Sequence, residues 1–93
     1  MFCCKIHKIE NQIILAICDK EILGKIIGNH VKINKEFFFE KEVNNKEILK
    51  LMLESDICNM FGKKITELAE KKGLIDRKNI ILVGEIPHAQ FIR

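Results

Sequence analysis

The sequence predicts an α+β domain: a largely antiparallel sheet of about five strands, in the order β-β-β-α-α-β-β, with two helices packed on one face. Three observations carry that expectation. Residues 2–9, FCCKIHKI, alternate between two faces as a half-buried strand does. Residues 13–18, IILAIC, form a continuous apolar run of strand length. Helix-period spacing of apolar residues is confined to the middle of the chain, with strand-like runs on either side.

Each element follows in order. Phe2, Cys4 and Ile6 fall on one face of the first strand, and Cys3, Lys5 and His7 on the other. Glu10-Asn11-Gln12 is a short polar connector, so IILAIC returns as a central second strand of a hairpin. DKEILGKIIG, 19–28, reads as one helical turn or a loop closed by Gly24 and Gly28. VKINKEFFF, 31–39, alternates at its start and predicts a third strand running into a Phe-rich corner. Asn44 or Asn45 suits a helix N-cap, because its short side chain accepts from the free amides of a first turn. KEILKLMLE behind it gives a helix with a broad apolar face, interrupted at Ser55-Asp56.

A second helix is expected from near Asp56 or Asn59 to Lys72, because Ile57, Phe61, Ile65 and Leu68 recur at helical spacing. Its polar side would then hold Asn59, Gly62, Lys63, Thr66 and Glu70, and Gly73 would end it in the left-handed conformation. NIILV, 79–83, is a strand, Gly84-Glu85 a turn, and IPHAQFIR the closing strand. Pro87 cannot donate to a ladder and belongs at the start or edge of that strand. With Pro87, Ala89 and Phe91 facing the core, His88 and Gln90 face the other way.

Length and composition bound the rest. Ninety-three residues make a single domain, 1–93, with one compact core. An apolar share of 47% beside 31% charged residues is that of a folded protein, and IILAIC falls far short of the roughly 20 residues of a membrane helix. MFCCKIHK lacks a hydrophobic stretch followed by a small-residue cleavage site, so a cytoplasmic location without membrane association is expected. The net charge of +3, with no Trp or Tyr, permits nucleic-acid contact without the clustered Arg and aromatic excess of a dedicated binder.

No motif supplies chemistry directly. Cys3, Cys4, Cys18 and Cys58 include no C-x-x-C pair, so neither a metal site nor a cofactor is expected, and the thiols read as reduced and partly buried. Gly24 and Gly28 match neither a phosphate loop nor a dinucleotide fingerprint. KKGLIDRK, 71–78, places lysines where they complement a helix dipole, with phosphate contact as the sharper alternative.

KIH at 5–7, DKEILGK at 19–25, NMFG at 59–62 and VGEIPHAQ at 83–90 together resemble a small archaeal family, domain of unknown function 424, over nearly the whole chain. The closing G-x-x-P-H-A-Q is the most specific piece. The resemblance implies a single-domain α+β archaeal protein and brings no activity with it. Its motif positions here are Asn59, Gly62, Gly84, Pro87, His88 and Gln90, with Asp19, Gly24 and Lys25 beside them. Gly62, Gly84 and Pro87 are the structural members. The cysteines stand outside the pattern.

The functional expectation is a non-catalytic binding module associated with RNA or a ribosome-associated protein. It would use His88, Gln90, Asn59, Lys5 and His7 as one polar patch. Two alternatives accompany it: a small enzyme with His88 as general acid or base, which calls for a pocket around His88, and a structural homodimer joined through the terminal strand.

Overall fold

The N-terminal hairpin forms as the alternation predicts. In the computed structural model, which describes residues 1–93, β1 (Phe2–Ile9) pairs antiparallel with β2 (Gln12–Asp19), from Phe2 opposite Asp19 to Ile9 opposite Gln12. The turn holds Glu10 at a φ of 56°. A 3-10 turn (Lys20–Ile22) follows, then a small ribbon of β3 (Ile26–Ile27) and β4 (Val31–Lys32), and the one-turn helix α1 (Lys35–Phe38).

Here the expected third strand over 31–39 gives way to something more broken. Asn34 accepts from the Phe37 amide at 2.8 Å, which starts a helical turn where the alternation ended. β5 (Lys41–Val43) then pairs with β1. The helix α2 (Asn45–Glu54) is capped by Asn44, whose side chain accepts from the Glu47 amide at 2.9 Å. Ile48 and Met52 are its buried residues, and Ser55 ends it.

The second expected helix is corrected at its start. Residues 57–61 form the strand β6 (Ile57–Phe61), and only Lys63–Lys71 is helical, as α3. Cys58 and Met60 pack on one face of the sheet and Phe61 on the other, so β6 carries apolar side chains on both faces. A strand apolar on both faces loses the two-residue period that would mark it. Asn59 and Gly62 are therefore not helical positions: Asn59 lies mid-strand, and Gly62 is the residue that joins β6 to α3. After a 3-10 turn (Arg77–Asn79), β7 (Ile81–Val83) and β8 (Ile86–Ile92) close the chain as a hairpin.

The fold class is as predicted, with six strands in the main sheet in the order β5-β1-β2-β6-β8-β7. All its pairs are antiparallel except the central one, β2 with β6. The chain between those two strands wraps the sheet. Residues 22–38 cover one face, packing Ile27, Ile33 and Phe38 on Cys3, Ala16, Cys18 and Phe61. β5 rounds the β1 edge, and α2 returns over the other face, where α3 joins it above Leu15, Ile17, Cys58, Met60 and Ala89.

One junction holds these layers in place. The central pair sets Cys18 beside Phe61, so Asp19 and Gly62 come next to each other where α3 begins. The buried Asp19 carboxylate accepts from the Lys64 and Ile65 amides, each at 2.9 Å, and so caps α3 from another strand. Burial pushes this carboxyl above its ordinary 3.8, against the pull of those two amides. Gly62 has φ 130°, and a Cβ there would fall on the Asp19 carboxylate. Its N–H donates to Pro87 O at 2.8 Å, while its carbonyl accepts from the Thr66 amide and hydroxyl.

That last pair of bonds accounts for the proline. Pro87 is the ladder partner of Gly62, and the carbonyl its N–H would have faced is already committed to α3.

Replacing Gly62 by Ala both strains the backbone and evicts the capping carboxylate. Gly62→Ala is expected to lower unfolding free energy by about 2–4 kcal/mol. Urea denaturation checks it; a loss below 1 kcal/mol, roughly the scatter of neutral surface changes, would contradict this account of the junction.

Candidate functional site

Cross-strand partners share a face, so the register lays out the half-open face of the sheet in rows. One row runs Lys5, Ala16, Asn59, Gln90 across β1, β2, β6 and β8. The next, toward the covered end, runs Cys3, Cys18, Phe61, His88. The row toward the open end runs His7, Ile14, Ile57, Ile92. All five residues singled out from the sequence thus lie on one face, although Asn59 arrives there on a strand.

Their contacts divide them. Asn59, His88 and Gln90 come together: His88 Nε2 bonds Asn59 Oδ1 at 2.8 Å, and Gln90 is the cross-strand partner of Asn59. An amide oxygen only accepts, so Nε2 carries the proton and Nδ1 of the neutral ring is left as an acceptor. The His88 ring also stacks on Phe61, centroids 4.1 Å apart at 27°. Burial lowers the His88 pKa from its ordinary 6.5, so the neutral form is favoured.

Lys5 and His7 turn to a different neighbour. Lys5 Nζ donates to Glu36 O at 2.8 Å and His7 Nε2 donates to Phe37 O at 2.9 Å, so both fasten α1 to the sheet. Two strand spacings of about 4.8 Å separate Lys5 from Asn59. The five residues therefore form two subsites rather than one cluster.

A chain of rings joins the two subsites. His7 stacks on Phe37 at 4.6 Å, Phe37 meets Phe38 edge-on at 5.0 Å, Phe38 meets Phe61 at 5.7 Å, and Phe61 stacks on His88. Phe37 is the exposed ring of this series, and sequence reasoning missed it because FFF read as a strand corner. Its signal was Asn34 three residues ahead, which marks a helical turn.

Other candidates resolve into architecture. Gly84 and Gly28 sit back to back, both at positive φ, and a Cβ on Gly84 would lie 2.7 Å from Gly28 Cα. Gly24 N–H bonds Ile33 O at 2.7 Å to close the loop, and Lys25 lies exposed on that loop. The four cysteines are buried thiols. Burial pushes Cys4 up to about 11 and Cys18 and Cys58 up to about 12, which leaves them poor nucleophiles. No three His, Cys, Asp or Glu side chains are grouped to hold a metal ion. The pocket expected around His88 for acid–base work is not formed: none of the surface cavities is lined by His88 or Asn59. No helix is long and apolar enough to cross a membrane.

The chain matches a family model described as a protein of unknown function, DUF424, over residues 7–93. Its fold is similar to the crystal structure of an uncharacterized conserved protein from Methanopyrus kandleri, with a TM-score of 0.76 and 24% identity. That likeness covers 97% of this chain and 89% of the other, and it establishes the fold alone. No curated protein matches the chain.

The lowered His88 pKa fixes a sign. Between its folded value and 6.5 the unfolded chain binds more protons than the folded one, so stability falls as pH drops through that window. Chemical denaturation at a series of pH values below 6.5 is expected to show this loss in the wild type and a shallower one in His88→Gln. Equal slopes would mean His88 is not held neutral by the fold.

Proposed function

This chain belongs to the DUF424 family, with residues 7–93 inside the family pattern, and we propose that it is a non-catalytic binding module that holds single-stranded RNA on its half-open sheet face. The observation that carries this reading is the meeting of Asn59, His88 and Gln90 on that face without a surrounding cavity. Gly62, Gly84, Pro87, Asp19 and Gly24 have structural work to do in the fold. Asn59 and His88 also brace each other, but the exposed Gln90 amide and His88 Nδ1 have no bond within the fold.

A regular sheet presents side chains on a rigid support, which favours recognition of an extended ligand over enclosure of a small one. Single-stranded bases stack on exposed rings and offer their edges to amides and imidazoles. Phe37 with His7 supplies the ring at one end, and His88 Nδ1 with the Gln90 amide supplies acceptor and donor groups at the other. Ile14 and Ile57 lie between as an apolar floor. The net charge of +3 is compatible with phosphate contact, and Lys5 places a cation on this face. Association with a ribosomal or other translation assembly, as RNA surface or RNA-bound protein, is the setting this chemistry fits. Four free cysteines accord with a reducing cytoplasm.

Fluorescence anisotropy with labelled single-stranded RNA tests the reading. Binding is expected to weaken steeply with added salt. Phe37→Ala is expected to weaken it about tenfold through a lost stacking platform, and Gln90→Ala to weaken it through a lost edge contact; both side chains are exposed, so the fold survives. Absence of binding at low salt, or binding indifferent to both substitutions, would overturn it.

A further inference from the structure

The phase of the β6–β8 ladder leaves one strand edge unfinished. Gly62 N–H bonds Pro87 O, and Arg93 N–H bonds Asp56 O, each at 2.8 Å. Backbone groups alternate along an antiparallel strand, so Pro87, Ala89, Phe91 and Arg93 are directed at β6, and His88, Gln90 and Ile92 away from it. On that outer side β7 pairs only with Ile86, Pro87 and His88. Asn79, which would come opposite Gln90, is folded instead into the 3-10 turn, with its N–H on Asp76 O. The N–H and C=O of Gln90 and Ile92 therefore face outward with no strand beside them.

The side chains along this edge are largely apolar, and the cations of the neighbouring turn, Arg77 and Lys78, are at its β7 end. Ile81, Leu82 and Ile92 are 58%, 68% and 69% exposed. At the other end of the sheet, where β1 runs past β5, the Ile6 N–H is covered by the Glu40 carboxylate at 3.2 Å and Lys8 stands on the edge. Charges and covered amides are how solitary proteins keep an edge from pairing. Arg93, the cation on β8's own end, is turned elsewhere, onto the Phe91 ring at 5.1 Å and the Met52 carbonyl at 3.1 Å.

We propose that this edge pairs with the same edge of a second copy of the chain, β8 antiparallel to β8 about a two-fold axis at Phe91. Only one register puts both outward residues to use: Gln90 opposite the partner's Ile92 and Ile92 opposite the partner's Gln90. All four free backbone groups of each copy are then bonded. The site is self-complementary, as a two-fold interface requires. Ile92 and Gln90 exchange neighbours on the half-open face, and Phe91 meets its counterpart on the helix-covered face. The two six-stranded sheets become one, with the Asn59–His88–Gln90 clusters of both copies on a continuous surface.

Sedimentation velocity, from micromolar to millimolar protein without RNA, is the test. The wild type is expected at twice its 10.8 kDa chain mass. Ile92→Pro removes an outward N–H and no bond to β6, and Gln90→Pro does the same at the other position. Each is expected to raise the dissociation constant at least tenfold while keeping a cooperative unfolding transition. A wild type that stays at chain mass overturns the proposal. So does a dimer indifferent to both prolines, which would place the interface elsewhere. Neither result bears on RNA binding.

Discussion

A buried carboxylate on two amides of a neighbouring element is the constraint on which the fold depends. Asp19 ends one central strand and Gly62 ends the other, and their adjacency lets a side chain from the first start the helix that follows the second. The helix so placed buries Ile65 and Ala69 against the sheet. The same glycine ties β8 through Pro87 O and gives its own carbonyl to Thr66. Two central strands, a helix and the closing strand meet at one residue without a side chain. That crowding leaves no room for a methyl group there.

The parts of this fold that were legible in the sequence are those with a clear local signature, whether an alternation, an unbroken apolar run of strand length or a capping residue. β1, the capped helix behind Asn44 and the last strand keep a period, and β2 shows itself as the run IILAIC. β6 was illegible because Ile57, Phe61, Ile65 and Leu68 happen to mimic a helical stripe that in fact spans a strand, a glycine and a helix. Gly62 was the available warning: a glycine placed inside the expected helix stands at the start of the real one.

The candidate site was legible in part. His88 and Gln90 followed from the alternation of the last strand, and their face was right. Asn59 reached them by pairing, which no local pattern encodes, since the register of β6 against β8 is a property of the whole sheet. Lys5 and His7 share the face, but their bonds to α1 depend on a one-turn helix that the Phe run concealed. Side-chain direction along a strand is a local fact; what stands across from it is not.

The wrapped connection between β2 and β6 has a consequence for how the chain gets to this state. Both hairpins close over short turns and form from neighbours in sequence. The central parallel pair does not: it joins residues on either side of the whole 20–56 excursion. Loop-closure entropy is paid there before any contact returns it. Contacts of that separation slow folding. The central pair is therefore the costliest closure in the fold.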